Sequence, residues 1–206
     1  MRLLSVGLMM WAGLAQGQTL LTGGDLGGWT VQSFVGETRY EVVNDPLQGS
    51  VLQGTAEGSA SALGFERVID TSATPWLDWR WQVVTAPTLA APEQSKAGDD
   101  YAARVYVVRK GSFGLFSTRS LVYVHSSDHQ PGEIWDSPYT GKVKMMAVTS
   151  GNDGEWVSVR RNLAEDWAAA FGSPVDELDG VALMVDADNS GSTAVARFGD
   201  IRLAAQ

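Results

Sequence analysis

Trp79-Arg80-Trp81-Gln82-Val83 and Ala103-Arg104-Val105-Tyr106-Val107-Val108 decide how this chain folds. In the first stretch two tryptophans and a valine alternate with a cation and an amide. In the second, Ala103, Val105 and Val107 alternate with Arg104, Tyr106 and Val108. A period of two predicts a strand with one buried face, because successive side chains leave a pleated backbone on opposite sides. Further outward, short apolar or alternating runs recur at 38–43, 50–55, 62–69, 79–85, 101–109, 121–125, 144–149, 156–161, 181–186 and 194–203. Gly, Pro, Asn and Asp separate them, as expected for many strands rather than repeated helices. The stretches 86–99 and 125–139 read as surface loops, and Gly23 to Gly28 as an N-terminal turn leading to Trp29.

One segment departs from this rhythm. Asn162-Leu163-Ala164-Glu165 carries an N-cap with Glu three residues on, and Gly172 followed by Pro174 closes the run. Leu163, Trp167, Ala170 and Phe171 share one helical stripe, which predicts a short helix over 163–171 lying across a sheet. The expected architecture is therefore all-β, an antiparallel two-sheet sandwich of jelly-roll type with one short helix.

The chain has 206 residues, with 24 acidic against 15 basic side chains and a net charge of -9. That balance opposes nucleic acid, whose binding rests largely on cations that displace condensed counterions. Arg2 precedes the apolar run Leu3 to Leu14 and the small residues Ala15-Gln16-Gly17. The run is about a dozen residues where a spanning helix needs roughly 20, so residues 1–17 read as a secretory signal peptide. Residues 18–206 then form one exported β-sandwich domain, periplasmic or extracellular, with no membrane span after cleavage. There is no cysteine, so thiolate nucleophiles, thiolate metal ligands and disulfides are excluded, and two histidines exclude a histidine-rich metal site.

Several constellations carry chemistry. Asp186-x-Asp188-Asn189-Ser190-Gly191 spaces hard oxygens around a tight turn in the way a calcium ion requires. Arg197 stands where an EF-hand would need its bidentate Glu, so the choice lies between a generic Ca2+ turn and an Asx turn in which Asp188 and Asn189 cap local N–H groups. No other cofactor is expected. Asp100 and Arg104 on one strand face offer a grip for a polar ligand, with Tyr106 as a stacking wall and Tyr123 as a neighbour from the next strand; the alternative is a structural ion pair at a sheet edge. Arg161 is placed to pin the helix through Asp166 or Glu165. Trp79 and Trp81 read as core, whereas Trp76 and the pair Trp135 and Tyr139 read as solvent-reachable loop aromatics and a ligand surface, although a loop Trp also plugs sandwich ends. His125-Ser126-Ser127-Asp128-His129 holds the residue types of a hydrolase triad, but adjacent loop residues do not converge as a triad must. Asp99 or Asp100 with Glu133 or Asp136 would make a glycosidase pair only if their loops meet.

A family resemblance rests on specific stretches: Asp99-Asp100-Tyr101 through Val108, Trp156 to Asn162, Asp166 with Phe171-Gly172, Gly180 through Gly191, and Phe198-Gly199-Asp200-Ile201. These resemble the bacterial exported family called domain of unknown function three thousand and forty-seven, across most of the mature chain. More distantly, the late strand, Asp-x-Asp-Asn turn and strand look like jelly-roll carbohydrate-binding and galactose-binding-like domains. The resemblance implies an exported sandwich and gives no reaction. No complete catalytic motif appears in the sequence, and the leading expectation is a non-catalytic domain that binds a glycan or another cell-envelope component. The alternatives are a polysaccharide-acting enzyme with a carboxylate pair and a structural envelope protein.

Overall fold

The computed structural model describes residues 17–205 apart from 113 and 152, with the backbone alone for 114–116. The expected signal segment, up to residue 16, lies outside the described residues. Thirteen strands, one α-helix and a 3-10 turn at Lys96–Gly98 are present among them: β1 Gln18–Leu21, β2 Thr30–Val35, β3 Arg39–Asp45, β4 Gly49–Glu57, β5 Ala60–Asp70, β6 Trp76–Thr85, β7 Arg104–Gly111, β8 Gly114–Ser126, β9 Ile134–Ser137, β10 Thr140–Ser150, β11 Trp156–Asn162, α1 Leu163–Phe171, β12 Glu177–Asp186 and β13 Thr193–Ala204.

They form two stacked sheets. Sheet A runs β11-β6-β13-β4-β3, with β1 beside the second half of β13; sheet B runs β2-β5-β12-β7-β8-β10-β9. The alternating stretches do what their period dictates. Trp79, Trp81, Leu52, Phe198 and Ile201 of sheet A face Val105, Val107, Leu121, Tyr123 and Leu183 of sheet B in one apolar core. Trp79 packs 5.2 Å from the Tyr123 ring and 5.5 Å from Trp81. Arg80, Gln82, Tyr106 and Val108 point the other way, so the outer faces of both sheets are where recognition has room.

The helix matches its sequence signals. The Asn162 side chain accepts the Glu165 backbone N–H, the Glu165 carboxylate accepts from the Asn162 amide, and Gly172 closes the last turn in the left-handed region at φ 76°. Leu163 and Trp167 are buried in the main core. Arg161 binds Asp166, whose carboxylate also accepts the Tyr123 hydroxyl at 3.1 Å.

Four features differ from the sequence expectation. Sheet B is mixed, since β10 pairs with β8 in parallel. The chain leaves β8, turns back through the β9–β10 hairpin, and so returns on the same side in the same direction. Strand β9 lies inside the stretch read as a loop; four residues are too few to show alternation. Strand β2 is exposed along its whole length and so lacks the buried face that periodicity detects. Strand β7 begins at Arg104 rather than Tyr101, so the Tyr101 ring joins a smaller cluster with Val122, Val124, Trp135 and Met145 on the outer side of sheet B.

Candidate binding groove and acidic cluster

The outer face of sheet B is covered at one end and open at the other. Over β5 and β12 the outward positions between Glu66 and Met184 are Ala62, Gly64, Gly180 and Ala182, and the register sets Gly64 beside Ala182 and Ala62 beside Met184. Such small residues leave the backbone almost bare. The strands on either side do carry side chains: Thr30, Gln32 and Phe34 from β2, and Tyr106, Val108 and Lys110 from β7. The result is a groove of about 670 Å³ with a flat floor and two walls, within the usual range for ligand sites. Its aromatic surfaces are Phe34, 59% exposed, and the half-buried Tyr106, whose hydroxyl donates to Met184 Sδ at 3.3 Å. At the far end Lys110 pairs with Glu66 at 2.9 Å, and Asp179 accepts from the Lys110 backbone N–H at 2.7 Å and from Arg109. Both carboxylates at the groove are thus engaged by donors.

Beyond the Tyr106 end, the loop before β7 and the turn after β12 close over a cluster of charges. Arg104 is buried and binds the Asp186 carboxylate, the Asp99 carbonyl and, at 3.4 Å, the Tyr106 hydroxyl, while its guanidinium lies 4.5 Å from the Tyr101 ring. Asp100 is buried too, accepting the backbone N–H groups of Asn189 at 3.1 Å and Ser190 at 2.6 Å. It is Asp100, from the facing loop, that holds the 187–192 turn. Asp100, Asp186 and Asp188 bring one carboxylate oxygen each within 4.8 Å of one another. These are hard donors of the kind calcium takes, but Arg104 already neutralises one of them. Burial pushes the Asp186 carboxyl up to about 8 against the pull of Arg104, with Asp100 adding to the rise. Burial likewise raises Asp99, where Arg104 opposes and Asp100 adds.

The sequence-expected residues therefore divide. Asp100, Arg104, Asp186, Asp188 and Asn189 come together, as does Tyr106 on the groove side of Arg104. Tyr139 reaches the cluster from the β9–β10 turn, donating its hydroxyl to Asn189 at 2.8 Å while Lys96 lies 5.3 Å from its ring. Tyr123 stands apart: it is opposite Val105, so its ring enters the core instead of joining the Arg104 face. Trp135 is a buried residue of β9 rather than a loop platform, stacked 3.9 Å from the His129 ring. Asp100 is sealed from solvent and cannot share a cleft with Glu133, which binds His129, or Asp136, which binds Lys144. His125 bonds Thr149 at 2.9 Å and Asp153 at 2.8 Å, while Ser126 binds the buried Glu93, so the triad residue types serve separate partners. What the sequence reading missed is the groove floor. Its only signal was the smallness of Ala62, Gly64, Gly180 and Ala182, which reads in isolation as weak strand propensity.

This architecture is shared with known folds. The family 30 carbohydrate-binding module of a cellulosomal cellulase of Clostridium thermocellum aligns at a TM-score of 0.55 and 9% identity, over 93% of this chain and 98% of that one. A thermostable cellulase derived from the Rhodothermus marinus enzyme aligns at 0.51 and 12%, over 89% and 94%. No curated protein matches the chain by sequence. The profile of a family described as protein of unknown function, DUF3047, covers residues 27–202, and the chain belongs to that family.

Proposed function

We propose that this protein is an exported, non-catalytic module that binds a glycan or another cell-envelope component in the groove on the outer face of sheet B. The observation that carries the reading is the bare strip formed by Ala62, Gly64, Gly180 and Ala182 between the Phe34 and Tyr106 walls. A flat apolar floor suits the face of a sugar ring, and Gln32, Thr118, Ser120 and Lys110 at its margins suit the hydroxyls. Export rests on the N-terminal apolar run and its small-residue end. No helix among the described residues is long and apolar enough to cross a membrane.

A thermal-shift screen of the protein against soluble glycans tests the reading. A ligand that binds only the folded state stabilises it by about 2.7 kcal/mol at a hundredfold excess over its dissociation constant. One glycan is expected to raise the melting temperature, and Phe34→Ala is expected to lose that response while melting like the parent. Failure of every glycan would leave the structural envelope reading. Calcium is the second part of the proposal, favoured by the three converging oxygens of Asp100, Asp186 and Asp188. Calcium against chelator is expected to raise the melting temperature more at pH 8 than at pH 5, and Asp188→Asn is expected to abolish the difference; no calcium effect at either pH would reduce the cluster to a turn.

A further inference from the structure

The outer face of sheet A carries a cavity of about 320 Å³, lined by Asp78, Arg80, Ser158, Arg160, Asp200 and Arg202. Three arginines meet there on a chain of net charge -9. The register explains how. Ser158 sits opposite Arg80, and Asp78 lies between Arg160 on one neighbouring strand and Arg202 on the other. The pairing of β13 with β6 is irregular between Phe198 and Ile201, which places Gly199 and Asp200 at the rim. Arg80 lies flat across Gly199, where a Cβ would collide with its Nε and Cγ.

The partners within this group are unevenly shared. Arg202 binds Asp200 at 2.6 Å, and Arg160 lies 3.6 Å from Asp78 and 4.7 Å from the centre of the Trp76 ring. The Arg80 side chain makes no hydrogen bond or ion pair among the described residues; its Nε is a buried donor without a partner, and Asp78 Oδ1 is a buried acceptor without one. Desolvation raises the Asp200 carboxyl, yet the Gly23 N–H, Arg202 and Arg80 together hold it below the usual range, as a field of excess positive charge would. Exposed ion pairs contribute little to stability, and like charges on neighbouring strands oppose it. An unpaired arginine set over a glycine between two more arginines therefore calls for a ligand.

We propose that this face is a second binding site, for a carboxylate with a neighbouring hydroxyl, such as an acidic sugar residue or a small hydroxy acid. The Arg80 and Arg160 guanidiniums donate to the carboxylate, Asp78 accepts from the hydroxyl, and Ser158 completes the rim. A planar fork of N–H donors is matched to a carboxylate. The volume lies at the small end of ligand sites, so it takes one ring and not a chain. This site is on the opposite sheet from the groove and does not depend on the groove being occupied.

Titration of the protein with galacturonic acid, its methyl ester, galactose and lactate, followed by calorimetry and by the arginine Nε–H resonances, tests the assignment. Galacturonate is expected to bind saturably and to shift the Arg80 Nε–H signal, while galactose and the methyl ester leave it in place. Arg80→Gln is expected to weaken binding about tenfold, the scale of one charge-assisted hydrogen bond. Gly199→Ala keeps every charge but displaces Arg80, and is expected to weaken binding similarly. Lactate binding as well as galacturonate would assign the site to hydroxy acids, and weaker lactate binding to acidic sugars; both uphold it. Absence of saturable binding by either acid, or binding that Arg80→Gln leaves unchanged, would overturn it.

Discussion

Arg104 is the residue on which the buried charge cluster turns. It is buried with Asp186 and Asp99. Removing one member of a buried pair strands the other in a medium that solvates it poorly. Arg104→Ala is therefore expected to cost about 3–5 kcal/mol at pH 9, where Asp186 is ionised, read as a lower midpoint in urea. A small stability change with lost glycan response would instead make Arg104 a ligand contact. The cluster also fixes a pH dependence. The Asp186 carboxyl titrates near 8 in the folded chain against 3.8 unfolded, so between those values the folded state holds a proton that the unfolded state releases. Stability from this group is then full at the acid end and is lost as pH rises through that window. Asp186→Asn, which removes the titrating group itself, is expected to flatten the decline in melting temperature between pH 5 and pH 9; an unaltered slope would place the titration elsewhere. The sequence named these residues and only part of their pairing, since Asp99 lies 3.7 Å from Arg104. Spacing offered Asp100 to Arg104 across one strand, whereas the fold supplies Asp186 from a strand about eighty positions away, and no local pattern encodes a contact between distant strands.

At the scale of elements, legibility follows the number of local signals. Helix α1 carries an N-cap, a reciprocal Glu, a four-residue stripe and a closing glycine, and all four operate in the structure. Asn162→Ala is expected to cost about 1 kcal/mol and to be seen as a reduced unfolding midpoint with unchanged ligand response; a neutral effect would mean that the cap is replaced by water. Strand β9 carries one signal, Trp135, and its single aromatic read first as a platform, with a plug as the alternative. The packing decides for a plug: Trp135 closes over Tyr101, Val122, Val124 and Met145. Trp135→Ala is expected to cost about 3–5 kcal/mol, the range for a large buried aromatic. Loss of glycan binding without that destabilisation would restore the platform. Strand β2 carries no burial signal, since its apolar side chains Val31, Phe34 and Val35 all face solvent, and edge strands are held by their neighbour rather than by their own pattern.

For the whole molecule, the sandwich was legible because two buried faces must alternate along nearly every strand, and Trp79, Trp81, Val105 and Val107 do so. The groove was not, because it is made by what four residues lack and by a strand order, β2-β5-β12-β7, that no single segment specifies. Gly64 makes this testable. Its φ lies outside the left-handed region, and a Cβ there would meet nothing closer than the Thr30 carbonyl and hydroxyl oxygens at 4.0 Å. Gly180 differs, since a Cβ would press within 2.7 Å of the Phe65 carbonyl. Gly64→Val therefore places two methyl groups on the groove floor without strain, and a β-branched side chain suits a strand better than glycine does. The expected outcome has opposite signs at the two scales: the melting temperature is unchanged or higher, while the shift produced by the glycan disappears. A Gly64→Val protein that melts normally and still responds in full would move the ligand off the outer face of sheet B.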